Sequence, residues 1–133
     1  LAEKWMHQGK LAHLVDQPAR RLSGGEQQRL SLVRALCCNP EILFLDEPCA
    51  HLDVNAAQDV EALIKSAIEA GIKVVMITHD RAQARRFGGE ILLMEGGQVK
   101  AQEGAALFFG PSQNPWTQAF LQGYEISDAE AET

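Results

Sequence analysis

No apolar run in this sequence approaches the roughly 20 residues that a helix needs to span a bilayer. A role at a membrane would therefore require docking onto another subunit. Cysteine is scarce: Cys37, Cys38 and Cys49 form no C-x-x-C pair, and neighbours such as Cys37 and Cys38 rarely bridge each other. Neither a disulfide framework nor a zinc site follows, and reduced thiols in the cytoplasm are expected. Positive charge is also short. Twelve Lys and Arg face eighteen Asp and Glu, a formal charge of −6, and such a chain is repelled by nucleic acid. Internal repeats and low-complexity linkers are missing. The chain opens on Leu1 with no basic-then-apolar leader. The expectation is a piece of a longer protein without a signal peptide.

What is present reads as one soluble globular domain. The 133 residues are 46% hydrophobic and 23% charged, enough to bury roughly two-thirds of the unfolded surface. The first 22 residues predict helix and loop, with a short stripe of Leu11, Leu14 and Val15 stopped by Pro18. A helix should start at Ser23, where Glu26 three residues on completes a capping box. Leu30, Val33, Leu36 and Cys37 are its expected apolar face, and Asn39-Pro40 its end. Ile42 to Leu45 and Val74 to Ile77 predict strands buried on both faces. Between them Val60, Leu63, Ile64, Ala67 and Ile68 mark an amphipathic helix closed by Gly71. Two such strands joined by a helix predict parallel pairing. Asp80 can cap a short helix ending near Gly88. Ile91 to Met94, Gly96-Gly97 and Gln98 to Ala101 predict a hairpin. A last helix should run from about Pro115 to Gly123, followed by an acidic tail.

Three segments carry chemistry. In Leu22 to Arg29, LSGGEQQR, a capped helix start with Gly24 and Gly25 offers free N–H groups and the positive helix end, which suits an anion. A capped helix after a glycine turn is the plain structural alternative. In Ile42 to Pro48, ILFLDEP, a strand delivers Asp46 and Glu47 at its C-terminal end, where open α/β sheets bind ligands. One carboxylate can hold Mg²⁺ while its neighbour polarises a water. The alternative is an acidic turn. In Ile77 to Asp80, ITHD, His79 sits where it could reach a terminal phosphate, or serve simply as a structural residue.

Taken together and in this order, the segments resemble the ABC transporter ATPases. LSGGEQQR is similar to that family's signature motif, ILFLDEP to its Walker B strand, Ala50 to Asp53 (AHLD) to its D-loop, and Ile77 to Asp80 to its switch-histidine loop. The resemblance covers about Leu11 to Gly123. It implies an α/β fold, part of the P-loop NTPase (ABC ATPase) type, with parallel strands flanked by helices plus a C-terminal β-hairpin. Residues 1–40 would be the remainder of a helical signature subdomain. Residues 41–123 would form the C-terminal part of a RecA-like core, and 124–133 a flexible tail.

The resemblance also implies roles. Asp46 would hold the Mg²⁺ shell and Glu47 would be the catalytic carboxylate. His79 would contact the γ-phosphate of ATP and position the water. Ser23, Gly24 and Gly25 would touch the nucleotide of a partner subunit in a head-to-tail dimer, and Asp53 would couple the two sites. Gln27 is placed with this cofactor-binding set, although Gln27 to Arg29 also read as helix scaffold. Cys49 and His51 depart from the commonest residues of the motifs, and Cys49 reads as a packing residue. The implied protein is the energy-coupling ATPase of a prokaryotic importer, peripheral on the inner face of the membrane. Its partners would be a second ATPase subunit, identical or paired, and a transmembrane permease, with no nucleic acid. A non-enzymatic module, or a DNA-repair ATPase of the same superfamily, are the competing readings. The sequence lacks G-x-x-x-x-G-K-[ST]: Gly9-Lys10 is its lone Gly-Lys pair, and Leu11 follows it. Because the backbone and lysine of that loop cradle the phosphates, these residues alone should bind ATP weakly and not turn it over. Strands separated from their usual neighbours should also show open edges or apolar faces.

Overall fold

The computed structural model describes residues 1–132. It resolves into two compact units, one from Leu1 to His79 and one from Asp80 onward. The helix that starts after Ser23 packs against the next long helix, and both belong to the first unit.

In the first unit, α1 (Ala2–Gln8) leads through short 3₁₀ turns to α2 (Gly24–Leu36). There follow β1 (Ile42–Asp46), α3 (Val54–Glu69) and β2 (Lys73–Ile77). The expected capping box is formed: the Glu26 amide donates to Ser23 Oγ at 3.1 Å and the Ser23 amide to Glu26 Oε1 at 2.9 Å. The buried face of α2 is rotated from the expected one. Arg29, Leu32, Val33 and Leu36 are buried, whereas Leu30 and Cys37 are only half-covered. Arg29 causes the rotation. Its Nε donates to the Gly9 carbonyl at 2.8 Å, and its guanidinium lies 3.7 Å from Asp59, which also pairs with Lys10 at 2.7 Å. A buried guanidinium held by a carbonyl and a carboxylate belongs to the interior, where periodicity counts only apolar letters.

The face of α3 falls as its pattern predicts except at its last position, Ile68. Val60, Leu63, Ile64 and Ala67 are fully buried, Ile68 is exposed, and Gly71 (φ 92°) ends the helix in a conformation that favours glycine. Trp5 and Leu11 join this core.

β1 and β2 pair in parallel from Ile42–Lys73 to Asp46–Ile77. They are not buried on both faces. Leu43 is buried and Leu45, Val74 and Met76 are partly covered, but Phe44 is 74% exposed and Ile77 57% exposed, with Ile42 and Val75 also open. A two-stranded sheet has helices on one side only, so side chains of period two divide between core and solvent. The apolar face foreseen for strands without their usual neighbours is this one.

In the second unit α4 (Arg81–Phe87) is capped by Asp80, whose Oδ1 accepts from the amides of Ala82 and Gln83. β3 (Glu90–Glu95) and β4 (Gln98–Gly104) form the hairpin. Gly96 (φ 57°) and Gly97 (φ 76°) supply the two positive-φ residues of a tight hairpin turn. Beyond it come α5 (Ala105–Phe108), α6 (Pro115–Gln122) and α7 (Asp128–Ala131). Phe108 and Thr117 are the buried centre, and Ser112 and Thr117 donate to the Glu103 carboxylate. The segment expected as a flexible tail carries α7, capped by Ser127 and tied by Lys100 to Asp128 at 2.7 Å. Residue 133 lies outside the described residues.

Candidate functional site

The site is built at the C-terminal ends of β1 and β2. Asp46 is the last residue of β1 and is exposed there. Glu47 follows in a left-handed conformation, φ 45°, which bulky residues rarely adopt. Its amide donates to the Ile77 carbonyl at 2.8 Å, continuing the ladder by one bond. Its carbonyl accepts from the Ala50 amide at 3.1 Å, closing a turn. The backbone is thus held on both sides, and holding a non-glycine residue there costs about 1–3 kcal/mol. The conformation turns the Glu47 side chain toward the neighbouring strand end. There its Oε1 stands 3.1 Å from Nε2 of His79, with the carboxylate 40% and the imidazole 91% exposed. Glu47 and His79 are therefore brought together by parallel pairing, and Asp46 is adjacent in the chain.

The turn after Glu47 is packed from below. Pro48 is buried, and the half-buried Cys49 donates its thiol to the Ala57 carbonyl at 3.7 Å. His51 takes a second left-handed conformation, φ 64°. Asp53 then caps α3, its Oδ1 accepting from the Ala56 amide at 2.8 Å.

The glycine turn sits beside that helix start. A Cβ added to Gly25 would lie 2.8 Å from the Ala56 Cβ, while at Gly24 the nearest atom would be Leu52 Cδ2 at 3.9 Å. The close approach that demands Gly25 is therefore made by α3, a neighbour within the chain. Gly24 and Ser23 remain exposed. The Gln27 side chain donates to the Leu22 carbonyl at 3.0 Å, bracing the loop that enters α2. Glu26 accepts from the Ser23 backbone and then its hydroxyl, with Arg29 and His13 nearby, and its carboxyl is held below the usual carboxylate range.

Pattern reading missed the contributions of Ala56 and Leu52 to this region. Both are small or apolar letters with no chemistry of their own. The glycine pair was the one available signal that something approaches closely.

Among the described residues no group of three or more His, Cys, Asp or Glu could by itself enclose a metal. An exposed Asp46 at a strand end fits Mg²⁺, which is commonly held by one or two carboxylates together with substrate phosphates. No helix among the described residues is long and apolar enough to cross a membrane.

A parallel strand pair with carboxylates at its C-terminal end and helices on one face is the arrangement at which open α/β sheets bind ligands. A profile of the ABC transporter family matches residues 1–50. The chain is 31% identical over 121 residues to the general L-amino acid transport ATP-binding protein AapP of Rhizobium johnstonii, a match covering 91% of this chain and 47% of that protein. It is 34% identical over 119 residues to the arginine transport ATP-binding protein ArtP of Escherichia coli K12, covering 90% and 48%. Among solved structures it resembles an ATP-binding cassette of an ABC transporter with a TM-score of 0.77 at 27% identity, covering 95% of this chain and 49% of that one. It also resembles a dimeric cassette in a post-hydrolysis state bound to ADP and phosphate, with a TM-score of 0.66 at 34% identity, covering 77% and 44%. The chain belongs to the ABC transporter ATP-binding family. It spans about half the length of the curated relatives it matches.

Proposed function

We propose that this chain is part of the ATP-hydrolysing subunit of an ABC importer. The observation that carries the reading is the 3.1 Å approach of Glu47 to His79 at the open end of the parallel strands. In this reading Glu47 accepts the proton of an attacking water. His79, in contact with Glu47, keeps that carboxylate in place and contacts the γ-phosphate of ATP. Asp46 holds Mg²⁺, which supplies charge neutralisation of the phosphates when bound. Ser23 and Gly24 offer their exposed helix start to the nucleotide of a second ATPase subunit. Gly25 and Gln27 support that start, and Asp53 fixes the beginning of α3 while coupling the two sites. The importer assignment rests on the names of the relatives, which transport amino acids, polyamines and molybdenum. A peripheral position on the inner face of the membrane, against a permease, goes with it.

The test is phosphate release by the full-length ATPase, including a phosphate-binding loop, with and without Glu47→Gln. The variant should lose roughly 10²- to 10⁴-fold in rate with its fold intact. An unchanged rate would remove Glu47 from the catalytic role. The present residues alone, which contain no G-x-x-x-x-G-K-[ST] sequence, should bind ATP too weakly for calorimetry at micromolar concentration. Micromolar affinity would overturn that part of the reading.

A further inference from the structure

An acidic chain, −6 overall, carries three arginines on one short helix of its second unit. Arg81, Arg85 and Arg86 of α4, with Ala82 and Phe109, line an open cleft of about 360 Å³. That is within the size range of small-ligand sites, which begins at roughly 300 Å³. The guanidinium groups of Arg81 and Arg85 are held by aromatic rings. Arg81 lies 4.8 Å over the Phe120 ring and donates to the Leu121 carbonyl at 2.9 Å. Arg85 lies 4.9 Å over the Phe109 ring.

Arg81 and Arg85 are four residues apart, so they share a face of α4, where like charges repel. The ring contacts fix the side chains in spite of that repulsion. They also remove rotamer freedom before any ligand arrives, which lowers the cost of binding. A guanidinium has several N–H donors in a planar fork, and stacking on a ring leaves its edge available. Arginines lining a cleft together with the Phe109 ring match a phosphate group, which accepts bidentate donors.

We propose that this cleft binds a phosphate group, presented either by a small soluble molecule or by a phospholipid head. The site lies wholly within the second unit and shares no residue with the Glu47–His79 pair.

The test follows amide NMR signals of the chain during titration with pyrophosphate. A parallel arm measures cosedimentation with phosphatidylcholine vesicles containing or lacking phosphatidic acid. Saturable shifts should appear at Arg81, Ala82, Arg85 and Phe109. Arg85→Lys keeps the charge but loses the fork and should weaken pyrophosphate binding roughly tenfold, as should Arg86→Gln. If Arg86→Gln perturbs folding, Arg85→Lys alone decides. Pelleting with phosphatidic acid vesicles that these variants abolish assigns the group to a lipid head. Pyrophosphate binding without pelleting assigns it to a soluble molecule. Neither saturable shifts at α4 nor pelleting, or equal binding by the parent and Arg85→Lys, would overturn the proposal and leave the arginines as struts between helices.

Discussion

Glu47 and His79 meet at 3.1 Å although they belong to different strand ends, and the amide of Glu47 itself closes the ladder by donating to Ile77 at 2.8 Å. The residue that would act on water is thus also the residue that ends the strand pairing. Its left-handed backbone connects the two roles.

The two side chains should behave as one unit in the full-length ATPase. His79→Ala and Glu47→Gln should each lower kcat by roughly 10²- to 10⁴-fold, and the double variant should be little worse than the poorer single one. Additive losses in a phosphate-release assay would show that the two act independently. Glu47→Gly should abolish turnover without destabilising the fold. Relief of the positive φ, about 1–3 kcal/mol, offsets the roughly 0.5–1 kcal/mol of extra chain entropy. Urea unfolding checks this.

Acid should loosen the start of α2. The Glu26 carboxyl is held down chiefly by the Ser23 amide, so its folded pKa lies below its unfolded one. A group shifted in that direction stabilises the fold above its unfolded pKa, near 4.5. The contribution is lost as pH falls through the folded value. Glu26→Gln should therefore flatten the acid side of a stability–pH curve, measured by thermal melts from neutral pH downward. A curve of unchanged steepness would count against the capping box as its source.

Gly25 should tolerate no side chain. A Cβ there would sit 2.8 Å from Ala56 Cβ. Overpacking of this kind costs about 1–3 kcal/mol, against the roughly 0.8–1 kcal/mol that alanine gains over glycine inside a helix. Gly25→Ala should thus be destabilising on balance, and combining it with Ala56→Gly should restore most of the loss. Denaturant midpoints of the two singles and the double test this pairing.

The open sheet face should make these residues self-associate when isolated. Phe44 and Ile77 are more than half exposed on adjacent parallel strands, with Ile42 and Val75 beside them. Contiguous apolar surface of this sort is normally covered. Phe44→Thr with Ile77→Thr should shift the sedimentation profile toward monomer without loss of helical signal. An unchanged profile would place the sticky surface elsewhere.

Much of the local structure could be read directly from residue patterns. The capping box at Ser23, the buried stripe of α3, the Asp80 cap and the Gly96-Gly97 turn all depend on neighbours within a few positions. Failures came where a distant partner decided the outcome. The α2 face turned because Arg29 found the Gly9 carbonyl, and an apolar count does not register a satisfied buried cation. The strands read as buried on both sides because all their letters are apolar, whereas the helices cover one side only.

For the candidate site, the sequence determined which groups are available and in what order: a capped glycine turn, paired carboxylates and a histidine after a second strand. Caps and turns close hydrogen bonds over three or four residues, so they are written in adjacent letters. Tertiary structure alone decided that Glu47 faces His79, that Gly25 is required by Ala56, and that one face of β1 and β2 lies open. Each of these depends on which backbone comes to lie beside which, and that is settled by packing over long separations in the chain.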